Sequence, residues 1–255
     1  MMSEPATPAP GSPERPFLPA MGTGGLLPVY DAVSWLGARS AHRRVVAAAD
    51  PAPGTTVLEI GCGTGNLLIA AARAQPGATV VGLDPDPAAL ERARTKAQRR
   101  GLAIRVEQGF ADQLPHPDGS VDQVLSAFMF HHLPADAKRA MLGEVHRVLA
   151  PGGALFLADF EGVPRPFRLL APLLRLLGHG PGHGGQGHGG QGHAGQGHGG
   201  QGHGGHGNDG PLAPVANDPS MVRQLLGGAG FTEVAQVGAA NSAFGRWIAH
   251  RAVRA

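Results

Sequence analysis

The fold of this chain is decided by residues 57 to 65, Val57-Leu58-Glu59-Ile60-Gly61-Cys62-Gly63-Thr64-Gly65. The apolar residues predict a buried strand, and the three glycines predict a tight turn directly after it. Glycine adopts a positive φ easily and lets the backbone approach a ligand closely. The helix expected from Asn66 onward would point its N-terminal N–H groups at the same place. The stretch therefore predicts a site for a nucleotide-like ligand at a strand end.

A second strand that ends in an acid follows at the spacing of a βαβ unit. The segment Ala78-Thr79-Val80-Val81-Gly82-Leu83-Asp84 predicts a buried strand, and Asp84 lies nineteen positions after Gly65. A carboxylate at this place can accept hydrogen bonds from both hydroxyls of a ribose. The alternative is that Asp84 caps the helix starting near Pro87, but Asp86 is the better N-cap, which leaves Asp84 free for the ligand.

The spacing Gly61-x-Gly63-x-Gly65, with Glu59 two residues ahead, resembles the Glu/Asp-x-Gly-x-Gly-x-Gly signature of class I S-adenosylmethionine-dependent methyltransferases. Three later stretches keep the order of that family. Residues 108–115 resemble its adenine-binding loop, residues 118–126 its fourth strand, and residues 147–153 the helix-to-strand turn before the fifth. The resemblance covers residues 55 to 160 strongly and the last forty residues weakly. It implies S-adenosylmethionine as the cofactor.

The resemblance also implies where the cofactor binds. The glycine turn would hold its amino-acid part and Asp84 its ribose. Phe110 stands where the family often has an Asp, so Phe110 is expected to pack on the adenine ring while Ala111 or Asp112 supplies polar contacts. The expected cofactor-binding positions are Glu59, Gly61, Cys62, Gly63, Gly65, Asp84, Pro85, Phe110, Ala111, Asp112 and Ser126, with Tyr30 as a further candidate, although an aromatic residue at helical spacing more often belongs to the core.

Short apolar strands alternate with helical segments up to residue 160, which is typical of a parallel sheet covered by helices on both faces. The fold class is therefore α/β, with a doubly wound, seven-stranded, mostly parallel sheet and an antiparallel C-terminal hairpin. Strands are expected near 55–60, 79–84, 103–107, 121–126, 153–159, 232–238 and 245–253. The expected organisation is a disordered Pro-rich lead over 1–24, one or two lid helices within 25–54, a single methyltransferase domain over 55–177 and 211–255, and a low-complexity insert over 178–210.

Composition agrees with a soluble enzyme of the kind that the resemblance implies, with one core. The chain has 255 residues, of which 42% are hydrophobic, enough for one α/β domain. No apolar run is long enough to span a bilayer, and no secretory signal is evident, so a cytoplasmic location is expected. The formal charge of +2 and the scattered basic residues do not indicate a nucleic-acid partner. Cys62 is the single cysteine, which leaves no disulfide and predicts a packing role.

The insert consists almost entirely of Gly, His and Gln, with a His-Gly-Gly-Gln-Gly unit that recurs every five residues. Neutral imidazole binds Zn, Ni and Cu, so adventitious capture of a divalent metal is one interpretation. The other is a disordered, catalytically silent loop, because a glycine tract without acids or cysteines makes a poorly selective site. The imidazoles that could hold a metal are His183, His188, His193, His198 and His203.

Two histidines follow the fourth strand, at the carboxyl edge where open α/β sheets bind ligands. His131 or His132 could take a proton from a hydroxyl or an acidic carbon, although a structural or capping role fits equally well. Asp159 ends the fifth strand at the same edge. We interpret the chain as transferring a methyl group to a small, partly apolar metabolite, as in the ubiquinone and menaquinone methyltransferases it resembles. A metal-binding protein on a methyltransferase-like carrier, or a silent cofactor-binding module, are the alternatives.

Overall fold

The computed structural model describes residues 27–162, 217–242 and 244–255, with the backbone alone for residues 27–37. Within these ranges five helices, one 3-10 turn and seven strands follow one another. The helices are α1 (Leu27–Ala49), α2 (Asn66–Ala74), α3 (Pro87–Gln98), α4 (Ala135–Val148) and α5 (Pro219–Gly228), and the 3-10 turn is Phe130–His132. The strands are β1 (Thr56–Ile60), β2 (Thr79–Asp84), β3 (Arg105–Gln108), β4 (Val121–Ala127), β5 (Leu149–Phe160), β6 (Phe231–Ser242) and β7 (Gly245–Arg254).

The seven strands form one sheet in the order β3-β2-β1-β4-β5-β7-β6. The first five are parallel, and β7 runs antiparallel between β5 and β6. The strand order reverses between β1 and β4, and open α/β sheets bind ligands at such a switch point, outside the carboxyl ends of the strands. The predicted α/β class, the doubly wound sheet and the antiparallel C-terminal hairpin are confirmed.

Aspartate side chains cap the N-termini of two helices, and the cap of α3 at Asp86 is the one predicted above. The Asp86 carboxylate accepts hydrogen bonds from the backbone N–H groups of Ala88 and Ala89, and Pro87 occupies the first turn of α3. Asp218 accepts from the N–H of Ser220 at the start of α5, again with a proline directly after it. These caps fix where both helices begin, because they satisfy N–H groups that have no partner within the helix.

Each face of the sheet carries its own apolar core. One core packs α4 and α5 on the sheet through fully buried residues that include Leu142 of α4 and Leu226 of α5. The other packs α1 and α2 on the opposite face, where Val45 and Leu68 contact residues of β1, β5 and β7. The alternation of side chains along a strand divides its residues between the two cores. Helices on both faces leave the sheet ends as the place for polar side chains.

Several predicted boundaries need correction. The expected turn over residues 147–153 lies inside a longer strand: α4 leads directly into β5 at Leu149, and residues 150–153, with Gly152 at a φ of +79°, pair with neither neighbouring strand. The register between β4 and β5 shifts after the Val121–Leu149 pair, which absorbs these extra residues as an irregularity. The third strand begins at Arg105, two residues later than predicted, and the sixth extends to Ser242. Residues 27–49 form one helix.

Several predictions fall outside the described residues. They are the Pro-rich lead over 1–24, the insert over 178–210 with its five candidate metal ligands, and the side chain of Tyr30. The lid role of the first helix and the domain boundaries stay predictions. Among the helices that the structure describes, none has the length and apolar character needed to cross a bilayer.

Candidate functional site

The glycine turn is tied to the end of β2 by backbone hydrogen bonds. The N–H groups of Gly61 and Cys62 both donate to the carbonyl oxygen of Leu83, at 2.8 and 3.1 Å. Gly61 has a φ of +69°, and a Cβ there would lie 2.4 Å from the Cγ atom of Met129. A side chain would therefore push away the loop after β4. Gly61 brings that loop against the turn.

Gly63 has a different role in the same turn. Its φ is +49°, and a Cβ there would meet no atom within 4 Å, so the space beside it is open. Its N–H donates to the Oδ2 atom of Asp84 at 2.8 Å. An L-residue would be strained at this φ, and its side chain would fill the space in front of the turn. Gly63 thus leaves room for a ligand next to an acid.

Asp84 holds the turn as well as facing the site, and Asp86 caps α3 as predicted. Its Oδ1 atom accepts from the N–H of Asp86 at 2.9 Å and its Oδ2 atom from Gly63. Burial raises the pKa of Asp84, and these two N–H groups oppose that change. Each carboxylate oxygen has a second lone pair. Asp84 can therefore hold the turn and still accept hydrogen bonds from two ribose hydroxyls.

Glu59 is a buried acid with an unused oxygen. The residue is 3% exposed, and its Oε2 atom has no hydrogen-bond partner. Burial first, and then the charge of Asp84, raise the pKa of Glu59 well above its usual range, while a hydrogen bond from the backbone of Leu68 opposes the change. Such an orphaned acid beside a ligand site is suited to a cationic group that arrives with the ligand.

Glu59→Gln is expected to stabilise the protein without its cofactor. The raised pKa means that the folded state binds the Glu59 proton more tightly than the unfolded state, so the stability that this group supplies is lost as the pH rises above about 4.5. A neutral amide removes this penalty and keeps an oxygen for the Leu68 N–H. At pH 7.5 the Tm should rise by roughly 2–4 °C for each kcal/mol gained, measured by scanning calorimetry. Glu91→Gln, on an exposed side chain, is the control, and a lower Tm for Glu59→Gln alone would contradict the prediction.

The other predicted cofactor-binding residues lie near this turn. Cys62 is buried, burial raises the pKa of its thiol, and a Cβ on Gly82 would lie 2.9 Å from its Sγ atom, so Cys62 fills space as predicted. The N–H of Gly109 donates to the Asp84 carbonyl oxygen at 3.2 Å, which brings the loop after β3 to the end of β2.

The remaining predicted positions lie around these contacts. They are Gly65 at the start of α2, Pro85 after β2, Phe110, Ala111 and Asp112 half-buried in the loop, and Ser126 fully buried in β4 with an unpartnered hydroxyl. Their contact with a cofactor stays a prediction.

Lys96 of α3 is a site residue that the sequence did not reveal. Its Nζ atom donates to the Oδ1 atom of Asn66 at 2.6 Å and to the Oγ1 atom of Thr64 at 3.1 Å, so it ties α3 to the glycine turn. Burial and the charge of Lys96 lower the pKa of His42 to about 4, which keeps that imidazole neutral at pH 7. No motif marks this lysine, because a basic residue in an amphipathic helix normally faces solvent.

His131 and Asp159 form a buried pair at the end of β4 and β5. The Nδ1 atom of His131 lies 2.6 Å from the Oδ1 atom of Asp159, and the backbone N–H of His131 donates to its Oδ2 atom at 2.7 Å. Both residues are under 8% exposed. Because an ionised carboxylate only accepts hydrogen bonds, Nδ1 carries the proton and Nε2 keeps a lone pair. The pair has the arrangement of an oriented general base.

Aromatic rings surround this pair. The ring of His132 is 4.0 Å from that of His131 between centroids, and desolvation, followed by the neighbouring His131, lowers the pKa of His132 to about 4 even though the residue is exposed overall. Phe128 stacks on Phe160 at 4.5 Å. Phe128 also has a φ of +58°, an uncommon value for a non-glycine residue and one that clusters at functional sites. The rings give this end of the sheet an apolar wall.

The structure therefore brings the predicted residues together at one sheet edge, with the glycine turn, Asp84 and the Gly109 loop on one side and the His131–Asp159 pair on the other. Met129 links the two halves, since it lies against Gly61 and directly precedes the 3-10 turn. Within the described ranges no three His, Cys, Asp or Glu side chains are placed to hold a metal ion.

Comparisons with known proteins agree with this geometry. Residues 57–153 match the family model described as a methyltransferase domain. A demethylmenaquinone methyltransferase of Thermus thermophilus is 42% identical over 145 residues, which cover 55% of this chain and 64% of that protein. The nocamycin O-methyltransferase of Saccharothrix syringae is 37% identical over 54% of this chain and 49% of its own length. The chain thus spans less than two thirds of these curated relatives.

A solved structure shows the same fold. The magnesium protoporphyrin IX methyltransferase of Synechocystis, determined with bound SAH, aligns with a TM-score of 0.61 over 86% of this chain and 84% of its own, at 23% identity. The alignment covers more of this chain than the residues 57–153 that match the family model. Residues 57–153 are therefore similar to the methyltransferase-domain family, and the chain has the fold of class I S-adenosylmethionine-dependent methyltransferases.

Proposed function

We propose that this chain transfers a methyl group from S-adenosylmethionine to a small, partly apolar acceptor that carries an ionisable hydroxyl. The observation that carries the proposal is the His131–Asp159 pair, which stands at the same sheet edge as the glycine turn and Asp84. A cofactor site and an oriented base are the two parts that methyl transfer to a protonated oxygen, or to a carbon made acidic by it, requires.

The residues present fit the cofactor. The open space beside Gly63 would take its amino-acid part, and the unpartnered Oε2 atom of Glu59 would balance its cationic amino group. Asp84 has lone pairs left for the ribose, and Phe110, half-buried in the loop after β3, would pack on the adenine. When bound, S-adenosylmethionine supplies a methyl group on a positively charged sulfur. The protein then needs to align the acceptor with that methyl group and to take up one proton.

His131 would take that proton. Asp159 holds Nδ1, which leaves the Nε2 atom as the acceptor of a hydroxyl proton. Removal of that proton from a phenol or a quinol makes the oxygen a nucleophile and also increases electron density on the ring carbons next to it. One base therefore serves methylation at either oxygen or carbon. Relatives named for a demethylmenaquinone and for an O-methylated product are both among the matches.

The surroundings of the base favour an aromatic acceptor. Phe128, Phe160 and the neutral ring of His132 lie around His131, and aromatic faces bind planar rings by offset stacking or edge contacts. A reduced naphthoquinone is therefore the probe we choose. A cytoplasmic location and the absence of a nucleic-acid partner stay predictions. No observation on the described residues favours the metal-carrier or the silent-module alternative.

Calorimetric titration tests the first half of this function. We expect S-adenosylmethionine and its demethylated product to bind with a Kd on the order of micromolar, about −8 kcal/mol, and NAD to give no heat. A deletion of residues 179–206 should leave both affinities unchanged, since the site described above lies outside that segment. Binding of neither sulfur compound would overturn the proposal, and loss of binding on deletion would show that the insert belongs to the site.

A further inference from the structure

A buried lysine stands behind the His131–Asp159 pair. Lys138 of α4 is 1% exposed, and its Nζ atom donates to the Oδ1 atom of Asn217 at 2.6 Å. The same Nζ atom lies 5.1 Å from the centre of the Phe130 ring. Neither Lys138 nor Asn217 lies in the glycine turn, and neither is among the predicted site residues. Both lie on the face of the sheet that α4 and α5 cover.

Lys138 occupies a position that packing alone would give to an apolar residue. It lies three and four residues before Met141 and Leu142, and seven before Val145, so it belongs to the buried stripe of α4. Burial of an ammonium group is costly, and it lowers the pKa of Lys138, while the charge of Asp159 opposes that change. Leucine or methionine would fill the site without this cost. Packing alone therefore does not explain why this position holds a lysine.

Asn217 connects Lys138 to the pair. Lysine only donates hydrogen bonds, so the oxygen of the Asn217 amide must face Lys138 and its Nδ2 group must face Asp159. Nδ2 indeed donates to the Oδ2 atom of Asp159 at 3.1 Å. Asp159 also accepts from the backbone N–H of Phe160 at 2.7 Å and twice from His131. Four donors thus hold this carboxylate, and Lys138 determines which way one of them points.

We propose that Lys138 is a positioning residue, which acts through Asn217 to hold Asp159 in the orientation that fixes the Nδ1–H tautomer of His131. Without the lysine, the Asn217 amide loses the donor that holds its oxygen, so its Nδ2 group is no longer fixed against the Oδ2 atom of Asp159. The carboxylate would then be held less firmly in its orientation toward His131. The catalytic part of this role rests on the proposed function, whereas the tautomer does not.

The test compares Lys138→Met with Arg139→Met, an exposed neighbour in the same helix. The ¹⁵N chemical shifts of the His131 ring report its tautomer in the protein alone. We expect Lys138→Met to shift this population toward the Nε2–H form, and to lower kcat with a reduced 1,4-naphthoquinone by about 10- to 100-fold. The Kd for S-adenosylmethionine should change by less than threefold. Arg139→Met should change none of these.

A second variant covers the case in which Lys138→Met fails to fold. Lys138→Gln retains an N–H₂ donor for Asn217 without the charge, and it should keep the Nδ1–H tautomer and most of kcat. Unchanged ring shifts in folded Lys138→Met would overturn the positioning role, as would equal losses of kcat and of cofactor affinity. If the unsubstituted protein transfers no methyl group, the proposed function fails, and the ring shifts alone then decide the role of Lys138.

Discussion

His131→Asn is expected to lower the rate of methyl transfer by about 10²- to 10⁴-fold. The substitution removes the Nε2 lone pair that would take the acceptor's proton, while the backbone N–H of residue 131 can still donate to Asp159. The cofactor contacts proposed for Glu59, Gly63 and Asp84 do not involve this side chain. The Kd for S-adenosylmethionine should therefore stay within threefold. Single-turnover transfer of a labelled methyl group to a reduced 1,4-naphthoquinone measures the rate, and calorimetry measures the Kd.

His132→Asn is the matched control for this experiment. His132 is the adjacent imidazole, it is more exposed, and no hydrogen bond joins it to Asp159 among the described contacts. We expect its removal to lower the transfer rate by less than about tenfold, which is below the usual contribution of a general base. A larger loss for His132→Asn than for His131→Asn would contradict the prediction and would mean that His132 is the base. Equal rates for both variants and the unsubstituted protein would exclude His131 and His132 as the base.

Asp84→Asn is expected to weaken the binding of S-adenosylmethionine by about 100-fold or more. A hydrogen bond to a charged group contributes about 1.5–3 kcal/mol, and about 1.4 kcal/mol is tenfold in affinity. The loss of two such bonds to the ribose therefore accounts for a 100-fold weaker affinity. The amide also turns an N–H₂ group toward the N–H of Gly63 or of Asp86, where two donors would face each other. Both the cofactor contact and the turn that supports it are affected. Calorimetric titration measures the loss.

Asp86→Asn controls for charge in the same segment. Asn is as good an N-cap as Asp, so α3 should begin at the same residue. Its affinity for S-adenosylmethionine should remain within threefold of the unsubstituted protein. Similar losses for both variants would mean that the negative charge near the turn matters and the ribose contact of Asp84 does not. Unchanged binding by Asp84→Asn would remove this acid from the cofactor site.

The parts of the fold that local chemistry determines could be predicted from the sequence. The glycine turn, the acid at the end of β2 and the cap at Asp86 each depend on residues within a few positions of one another, and all three lie where they were expected. The early start of β5 could not be predicted in this way. It depends on the pairing of Leu149 with Val121, and Pro151-Gly152-Gly153 looks like a turn when that partner strand is not considered.

The site shows the same division between local and long-range information. Asp159 was placed at the correct edge, because strand ends in a parallel sheet meet there. The pairing of Asp159 with His131 and not His132 depends on the 3-10 turn of residues 130–132, which no periodicity reveals. Asn217 lies 58 residues from its partner Asp159. Lys138 did leave a signal, since a charged residue interrupts the apolar stripe of α4, and such an interruption indicates a buried polar contact.

The packing of α1 joins the first and the last described elements of the chain in one core. Ala41 and Val45 of that helix share one apolar core with Trp247, Ala249 and Val253 of the last strand. The ribosome makes α1 before any strand of the sheet and makes β7 after all the other described strands, so part of the apolar stripe of the helix lacks its partners until β7 has been made. Contacts this distant in sequence slow folding and leave apolar surface exposed meanwhile. We therefore expect the nascent chain to expose part of this apolar helix surface until β7 has been made.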